Sequence, residues 1–365
     1  MVVYIIVNYL KKRKKYSPVS VRFFEFLGKN QRGMDMNKRK FSFLSLFLVF
    51  FLALAAGCSD GGKSGKSTSG SGKVDLLMGT GSQGGTYYPL GNEMANVWNK
   101  NIKNVNVTAT ESGASVENLA KISTGKFDLG MTVNLPAYDA LEGKGEFKGR
   151  KIDNFAFIGH IYPEVLQIVT RESTGVKSIA DLKGKRIAIG PPGSGTQAAA
   201  KAILKAYGIE DGDYIVYQEG FGDAKAKLQD GTIDASFGLL GLPDSGINEL
   251  QATTGDVKLL EISGKELEEI AEKTGYTPYT IEAGSYEWLN HNVSTVSAFA
   301  VLVANTDTVD EELAYQLAKI MIEKSDQNTH AQARHMTKEN ALNGLGNLPL
   351  HPGAEKYYKE VGILK

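Results

Sequence analysis

From Val74 onward, short apolar runs alternate with stretches whose apolar residues recur at helical spacing. Val74–Gly79 predicts a strand, Gly84–Trp98 a loop and helix, and Val105–Thr110 a second strand. Ala114–Ser123 places Val116, Leu119, Ala120 and Ile122 on one helical face, and Phe127–Met131 reads as a third strand. A similar series follows: strand Arg186–Gly190, Ala-rich helix Gln197–Tyr207, strand Tyr214–Tyr217, helix Phe221–Gln229 and strand Asp234–Gly238. Between the two series, Phe155–Gly159 and Val165–Arg171 read as separate strands. Near the end, the uncharged run Val296–Ala304 predicts a buried strand, followed by helices at Asp310–Lys324 and Ala354–Glu360. Strands alternating with helices imply parallel sheets with helices on both faces, an α/β chain of two doubly wound lobes. The expected division is 74–166 with 300–365 as lobe 1 and 167–299 as lobe 2. Hinge crossings are expected near Gln167–Arg171 and Ala298–Ala304, with a ligand cleft between the lobes.

The front of the chain has a different pattern. Met36–Lys40 is a short basic start, Phe41–Ala56 carries no charge, and Leu54-Ala55-Ala56-Gly57-Cys58 ends the apolar run in small residues. This is the layout of a secretory signal, and the apolar run is short for a spanning helix, which needs about 20 residues. The Ala-Ala-Gly-Cys ending resembles a bacterial lipobox, with Cys58, the chain's only cysteine, as the lipidated residue. It departs from the common lipobox in having Ala55, with Leu54 one step earlier, at the usual leucine position. Residues 1–57 are thus read as an upstream extension, with translation expected to begin at Met34 or Met36, plus a lipoprotein signal peptide. Residues 58–73 are a Gly/Ser/Lys tether that cannot bury a core. Its Gly61–Thr68 segment imitates a phosphate-binding loop but misses the first glycine, because Asp60 stands there. The expected location is extracytoplasmic, anchored to the bacterial cell membrane through lipid on Cys58.

Charge then narrows the partners. Of 41 basic and 41 acidic side chains, 11 and 2 fall in residues 1–57. That leaves 30 and 39 on residues 58–365, nine negative charges in excess. An acidic body lacks the basic footprint that nucleic acid requires, so no nucleic-acid partner is expected. One cysteine supports neither an internal disulfide nor a multi-cysteine metal site. The five histidines show no zinc-protease spacing, and His330 and His335 diverge on a helix; no metal and no cofactor are expected.

The densest chemical signal is Gly79-Thr80-Gly81-Ser82-Gln83-Gly84-Gly85-Thr86-Tyr87-Tyr88-Pro89-Leu90-Gly91, between a strand and a helix. Glycines such as Gly84 and Gly85 let backbone approach a ligand, and the unpaired N–H groups of the helix start attract anions. Ser82 and Thr86 add hydroxyls, while Tyr87 and Tyr88 offer a wall and phenolic donors. Pro192-Gly193-Ser194-Gly195-Thr196 repeats the device in the second series. Two such turns facing one cleft could hold an anion without an arginine. Gly79-x-Gly81-x-x-Gly84 also fits a dinucleotide pattern, but the acidic residue expected about 20 positions later is missing. Arg171 is either a carboxylate partner or part of a structural ion pair.

Together with these turns, Glu111-Ser112-Gly113-Ala114-Ser115-Val116-Glu117-Asn118, Asp230–Ala235, Gly241-Leu242-Pro243 and the Thr295-Val296 strand resemble the TAXI family of TRAP-transporter solute receptors. The resemblance covers roughly residues 74–365. It implies a type II periplasmic-binding-protein fold, a monomer that captures a small organic anion such as glutamate, 2-oxoglutarate or a related carboxylate or amino acid. It also implies delivery to separate TRAP membrane subunits, and no catalysis. Carried over by position, the ligand-binding residues are Ser82, Gly84, Gly85, Thr86, Tyr87, Tyr88, Ser115, Asn134, His160, Ser194, Gly195 and Thr196. Phe237 and Leu240 are the expected apolar walls. The run Asp234–Leu240 departs from the family's bulkier or more polar pattern, which leaves the ligand's side chain open. Two other readings stand beside this one: a secreted α/β serine hydrolase using Ser82 or Ser194, neither of which lies in Gly-x-Ser-x-Gly, and a same-fold receptor serving an ATP-driven importer or a sensor.

Overall fold

The computed structural model describes residues 73–262 and 264–365. The upstream extension, the signal peptide, Cys58 and the tether up to residue 72 lie outside the described residues. Three strands open the fold: β1 (Val74–Gly79), β2 (Val105–Thr110) and β3 (Leu129–Val133). They are linked by helices α1 (Tyr87–Asn101) and α2 (Ser115–Ile122), with α3 (Asn134–Glu142) leaving β3. Both β2 and β3 pair with β1 in parallel, giving the order 2-1-3. The long strand β4 (Phe155–Arg171) then leads into the same arrangement again. β5 (Arg186–Ala188), α4 (Gly195–Ala206), β6 (Ile215–Tyr217), α5 (Phe221–Gln229) and β7 (Ala235–Leu240) form a second parallel trio, with β5 in the middle. α6 (Ser245–Thr254), β8 (Val257–Leu260), α7 (Gly264–Thr274) and β9 (Thr277–Ile281) complete that half. The chain returns through β10 (Val293–Asn305) to helices α8 (Glu311–Glu323) and α9 (Pro352–Glu360).

β4 and β10 join the halves. β10 pairs with β9 over Val293–Ser297 and with β3 over Ala300–Ala304. β4 pairs with β10 from Phe155 to Val165 and with β7 from Val165 to Thr170. The full order is therefore β2-β1-β3-β10-β4-β7-β5-β6, two 2-1-3 trios back to back across an antiparallel pair. This is the two-lobed type II periplasmic-binding-protein fold. Where the sequence reads two strands, Phe155–Gly159 and Val165–Arg171, the chain makes one continuous strand.

Four apolar clusters cover the two faces of the two trios. α1, α8 and α9 bury Leu90, Trp98, Leu317 and Tyr357 against one face of the first, and α2 and α3 bury Leu119, Ile122 and Ala137 against the other. In the second, α4 and α7 contribute Ile203, Leu204 and Ile270, and α5 and α6 contribute Leu228, Ile247 and Leu250. β10 shows the consequence: Leu302 and Ala304 face one cluster and Val301 and Val303 the other, so the strand is apolar at every position from Phe299 to Ala304. Burying such a side chain contributes roughly 1.5–3 kcal/mol. No helix of the described residues is long and apolar enough to cross a membrane.

Candidate functional site

In an open sheet of order 2-1-3 the crevice lies beyond the carboxyl ends of the parallel strands, where the chain direction switches. Both trios put their glycine turns there, and the turns meet. A Cβ on Gly84 would fall into the Gly222 backbone at the start of α5, so only glycine permits this approach at the rim. Val116 N–H donates to Gly193 O at 3.0 Å, and Gly193 accepts that bond from a left-handed conformation with φ of 76°. Between the turns lies a cavity of about 60 Å³.

Ten residues singled out from the sequence line it: Ser82, Gly85, Thr86, Tyr87, Ser115, Ser194, Gly195, Thr196, Phe237 and Leu240. Their hydroxyls fall into two groups. Ser115 Oγ accepts from Val133 N–H (3.0 Å), Ser194 Oγ from Gln197 N–H (3.0 Å) and Thr196 Oγ1 from Leu239 N–H (3.2 Å). Each of these oxygens is fixed by backbone and keeps its own proton to donate. Thr86 is differently employed. Its Oγ1 accepts from Gly241 N–H at 3.0 Å and faces Asp244 Oδ2 at 3.5 Å, so its hydroxyl bridges the lobes. Asp244 also caps α6 by accepting from Gly246 and Ile247, yet burial raises its pKa to about 6.

The other four of the fourteen lie elsewhere. Tyr88 follows Tyr87 on α1, and a helical step of about 100° turns it away from the cavity. Gly84 makes the lobe contact at the rim rather than lining the cavity. Asn134 is buried, but its Nδ2 donates to Tyr138 Oη (3.1 Å) and its Oδ1 accepts from Phe299 N–H (3.0 Å), a structural pairing. His160 is 1% exposed, packs edge-on against Phe299 and has no hydrogen-bond partner for either ring nitrogen. Burial lowers its pKa to about 3, so it is a neutral core residue away from the cavity. Arg171 is structural too: its Nε pairs with Asp256 at 2.7 Å, and its Nη1 donates to Gln229 O.

The residue that sequence reasoning misses is Glu164. It is 2% exposed and lines the cavity with Tyr162. Tyr162 Oη donates to Glu164 Oε1 at 2.9 Å, whereas Oε2 has no protein partner. Burial raises the Glu164 pKa to about 8, against the lowering effect of the Tyr162 and Tyr87 hydroxyls. The Tyr87 hydroxyl beside it is also unpartnered, and its ring meets Tyr162 edge-on at 6.1 Å. Burial first, then the Glu164 charge, holds the Tyr87 phenol well above its usual range. The local cause is the pairing of β4 with β10. Ala300 opposes Tyr162 while Val301 opposes His160, so Ile161 is an extra residue in β4. Such a bulge shifts the in–out alternation and re-aims the side chains that follow, here Tyr162 and Glu164. Among the described residues lining the cavity there is no Lys, Arg or His. Positive potential comes instead from the N-termini of α1 and α4. Ala114, at the start of α2, sits on the cavity wall at φ of 66°, a conformation that costs a non-glycine residue about 1–3 kcal/mol.

Comparison with known proteins places the chain. The profile of the NMT1-like family matches residues 78–362, and the chain belongs to that family. Among solved structures, it is similar to an alkanesulfonate-binding protein from Xanthomonas axonopodis pv. citri bound to MOPS. That pair is 16% identical, with a TM-score of 0.42, over 79% of this chain and 84% of that one. It is similar to PhnD1 from Prochlorococcus marinus in complex with methylphosphonate at 14% identity and a TM-score of 0.45, over 79% and 96%. A third is a substrate-binding protein of an ABC uptake transporter from Streptococcus pneumoniae with bound histidine, at 14% identity and a TM-score of 0.43, over 67% and 85%.

Proposed function

We propose that this member of the NMT1-like family is an extracytoplasmic solute receptor. It captures one small carboxylate-bearing molecule between its lobes and hands it to membrane subunits of a TRAP-type secondary transporter. The observation that carries this reading is the convergence of one glycine turn from each lobe on a single interlobe cavity. Helix N-termini and three backbone-fixed hydroxyls line that cavity with protons to donate. A carboxylate accepts such protons and is favoured at helix N-termini. The lobe-bridging Thr86 couples occupancy to closure, which is what a membrane partner would read. The TRAP assignment follows the TAXI resemblance, and lipid on Cys58 would hold the receptor at the membrane.

Hydrolysis is a poorer account of the same residues. A nucleophilic serine needs a base within hydrogen-bond reach, and the Ser194 hydroxyl is instead the N-cap of α4. The test is thermal unfolding of ligand-stripped protein with a panel of small mono- and dicarboxylates and amino acids. A true ligand at 100 times its Kd stabilises by about 2.7 kcal/mol. Absence of stabilisation across the panel overturns the receptor reading. Co-purification with an ATPase-coupled membrane complex, instead of a TRAP pair, would move the protein to an ATP-driven importer.

A further inference from the structure

The hydroxyls of Ser115, Ser194 and Thr196 offer protons to an acceptor, yet the same cavity contains a buried acid. Among these donors stand Glu164 and Tyr87, both lining the cavity, with Glu164 Oε2 and the Tyr87 hydroxyl buried and lacking a well-formed hydrogen bond to the protein. Tyr162 Oη donates to the other oxygen of the carboxylate, Oε1. No cationic side chain lines the cavity to balance that acid. With this acid ionised, a simple anion would put two negative charges side by side in a low-dielectric space, which is costly, so its entry would require the acid to stay protonated. A zwitterion would not, since its carboxylate meets the helix N-termini while its ammonium meets the acid.

We propose that Glu164 Oε2, with the Tyr87 oxygen beside it, is the specificity-determining element of this cavity and selects a ligand with an ammonium group next to its carboxylate. The substrate class is thus amino acids, in preference to the keto acids and dicarboxylic acids of the same skeleton. An ammonium placed here can donate to Glu164 Oε2, while the Tyr87 hydroxyl beside it directs its own proton toward the same acid. Tyr162 serves as the positioning residue: its bond to Oε1 aims Oε2 into the cavity. Burial raises the Glu164 pKa, and a cation against the free oxygen would draw it back down, so ligand entry and ionisation support each other. The inference rests on the receptor reading and narrows it.

The experiment is calorimetric titration of ligand-stripped full chain with matched pairs: L-alanine against pyruvate, and L-glutamate against 2-oxoglutarate. Each pair differs at C2 in ammonium against keto oxygen. The expected result is at least one pair in which the amino acid binds about tenfold or more tightly than its keto partner, the scale of a hydrogen bond to a charged group. In Glu164→Gln that ratio shrinks toward one, and in Glu164→Asp, which keeps the charge, it is largely retained. Equal or tighter binding of the keto acids by the unaltered protein overturns the inference and leaves the receptor reading standing. An unchanged ratio in Glu164→Gln also overturns the inference. If neither member of any pair binds, the inference and the small-carboxylate receptor reading fall together. The comparison on the unaltered protein does not depend on any variant folding.

Discussion

The two glycine turns are built alike in sequence and are used differently. In the second lobe, Ser194 turns its oxygen back onto α4, accepting from Gln197 N–H, and Gly193 offers its carbonyl to the first lobe. In the first lobe, the residue before α1 makes no cap of its own: Thr86 sits in helical conformation and sends its hydroxyl across to Gly241 and Asp244. The hydroxyl of one turn stabilises its own helix, whereas the hydroxyl of the other holds the lobes together. A strand–glycine–helix pattern therefore locates a ligand crevice without saying which groups remain for the ligand. That depends on which hydroxyls the rest of the fold has already engaged.

Four tests would break or sharpen this contrast. The largest effect is expected at Gly84. Gly84→Val places a branched side chain in the Gly222 backbone and holds the turns apart, and titration should show ligand affinity reduced by at least about 100-fold, or roughly 2.7 kcal/mol. Gly85→Ala, whose Cβ meets only Ser82 atoms at 3.6 Å, should cost far less.

Next in size is pH dependence. Glu164 has a folded pKa raised from 4.5 to about 8, so the unfolded chain loses this proton first. Between those values the folded state holds more protons, and this contribution to stability falls as pH rises, by a few kcal/mol on an order-of-magnitude basis. Asp244 acts the same way between 3.8 and about 6. His160, kept neutral with a pKa of about 3, acts oppositely: its contribution is present above 6.5 and lost as pH falls toward 3. The informative quantity is therefore the difference between variant and unaltered protein in denaturant unfolding. Glu164→Gln should be relatively more stable at pH 8 than at pH 5. Asp244→Asn, which keeps a capping oxygen, should show its relative gain mainly between pH 4 and 6. The second lobe's Ser194 spends its oxygen on Gln197 N–H rather than on either acid, so Ser194→Ala should leave both profiles unchanged.

Thr86→Val keeps the shape but leaves the buried Gly241 N–H without its acceptor. Such a loss is about 1–3 kcal/mol, and it should appear mostly as about tenfold weaker ligand binding, because the bond spans the lobes. The smallest effect is expected for Ser194→Ala. Loss of an N-cap costs about 1 kcal/mol and should appear in unfolding of the free protein more than in affinity. If Thr86→Val and Ser194→Ala gave the same division between affinity and stability, the contrast between the turns would be wrong.

Much of this architecture is legible in the chain. Gly79–Gly91 and Pro192–Thr196 mark the crevice because glycine lets backbone come close there, as Gly84 does against Gly222, and the uncharged Val296–Ala304 run marks a strand buried on both faces. What is not legible depends on partners distant in sequence. Tyr87 and Tyr88 look interchangeable until the helix start is known, and Asn134 and His160 stand at promising strand ends until Phe299 is seen to pack against both. Glu164 is the least legible. It stands after Pro163 in what reads as a gap between two strands, and only the extra residue at Ile161 turns it into the cavity. Nothing local in the sequence records that register shift.

The most direct test of the central claim is to purify the protein without refolding, denature it, and identify by mass spectrometry what it releases. The account predicts a single small carboxylate-bearing solute, close to one per chain, missing from Gly84→Val prepared in parallel. Release of no small molecule from protein that small carboxylates and amino acids also fail to stabilise would contradict it, as would release of a solute with no acidic group.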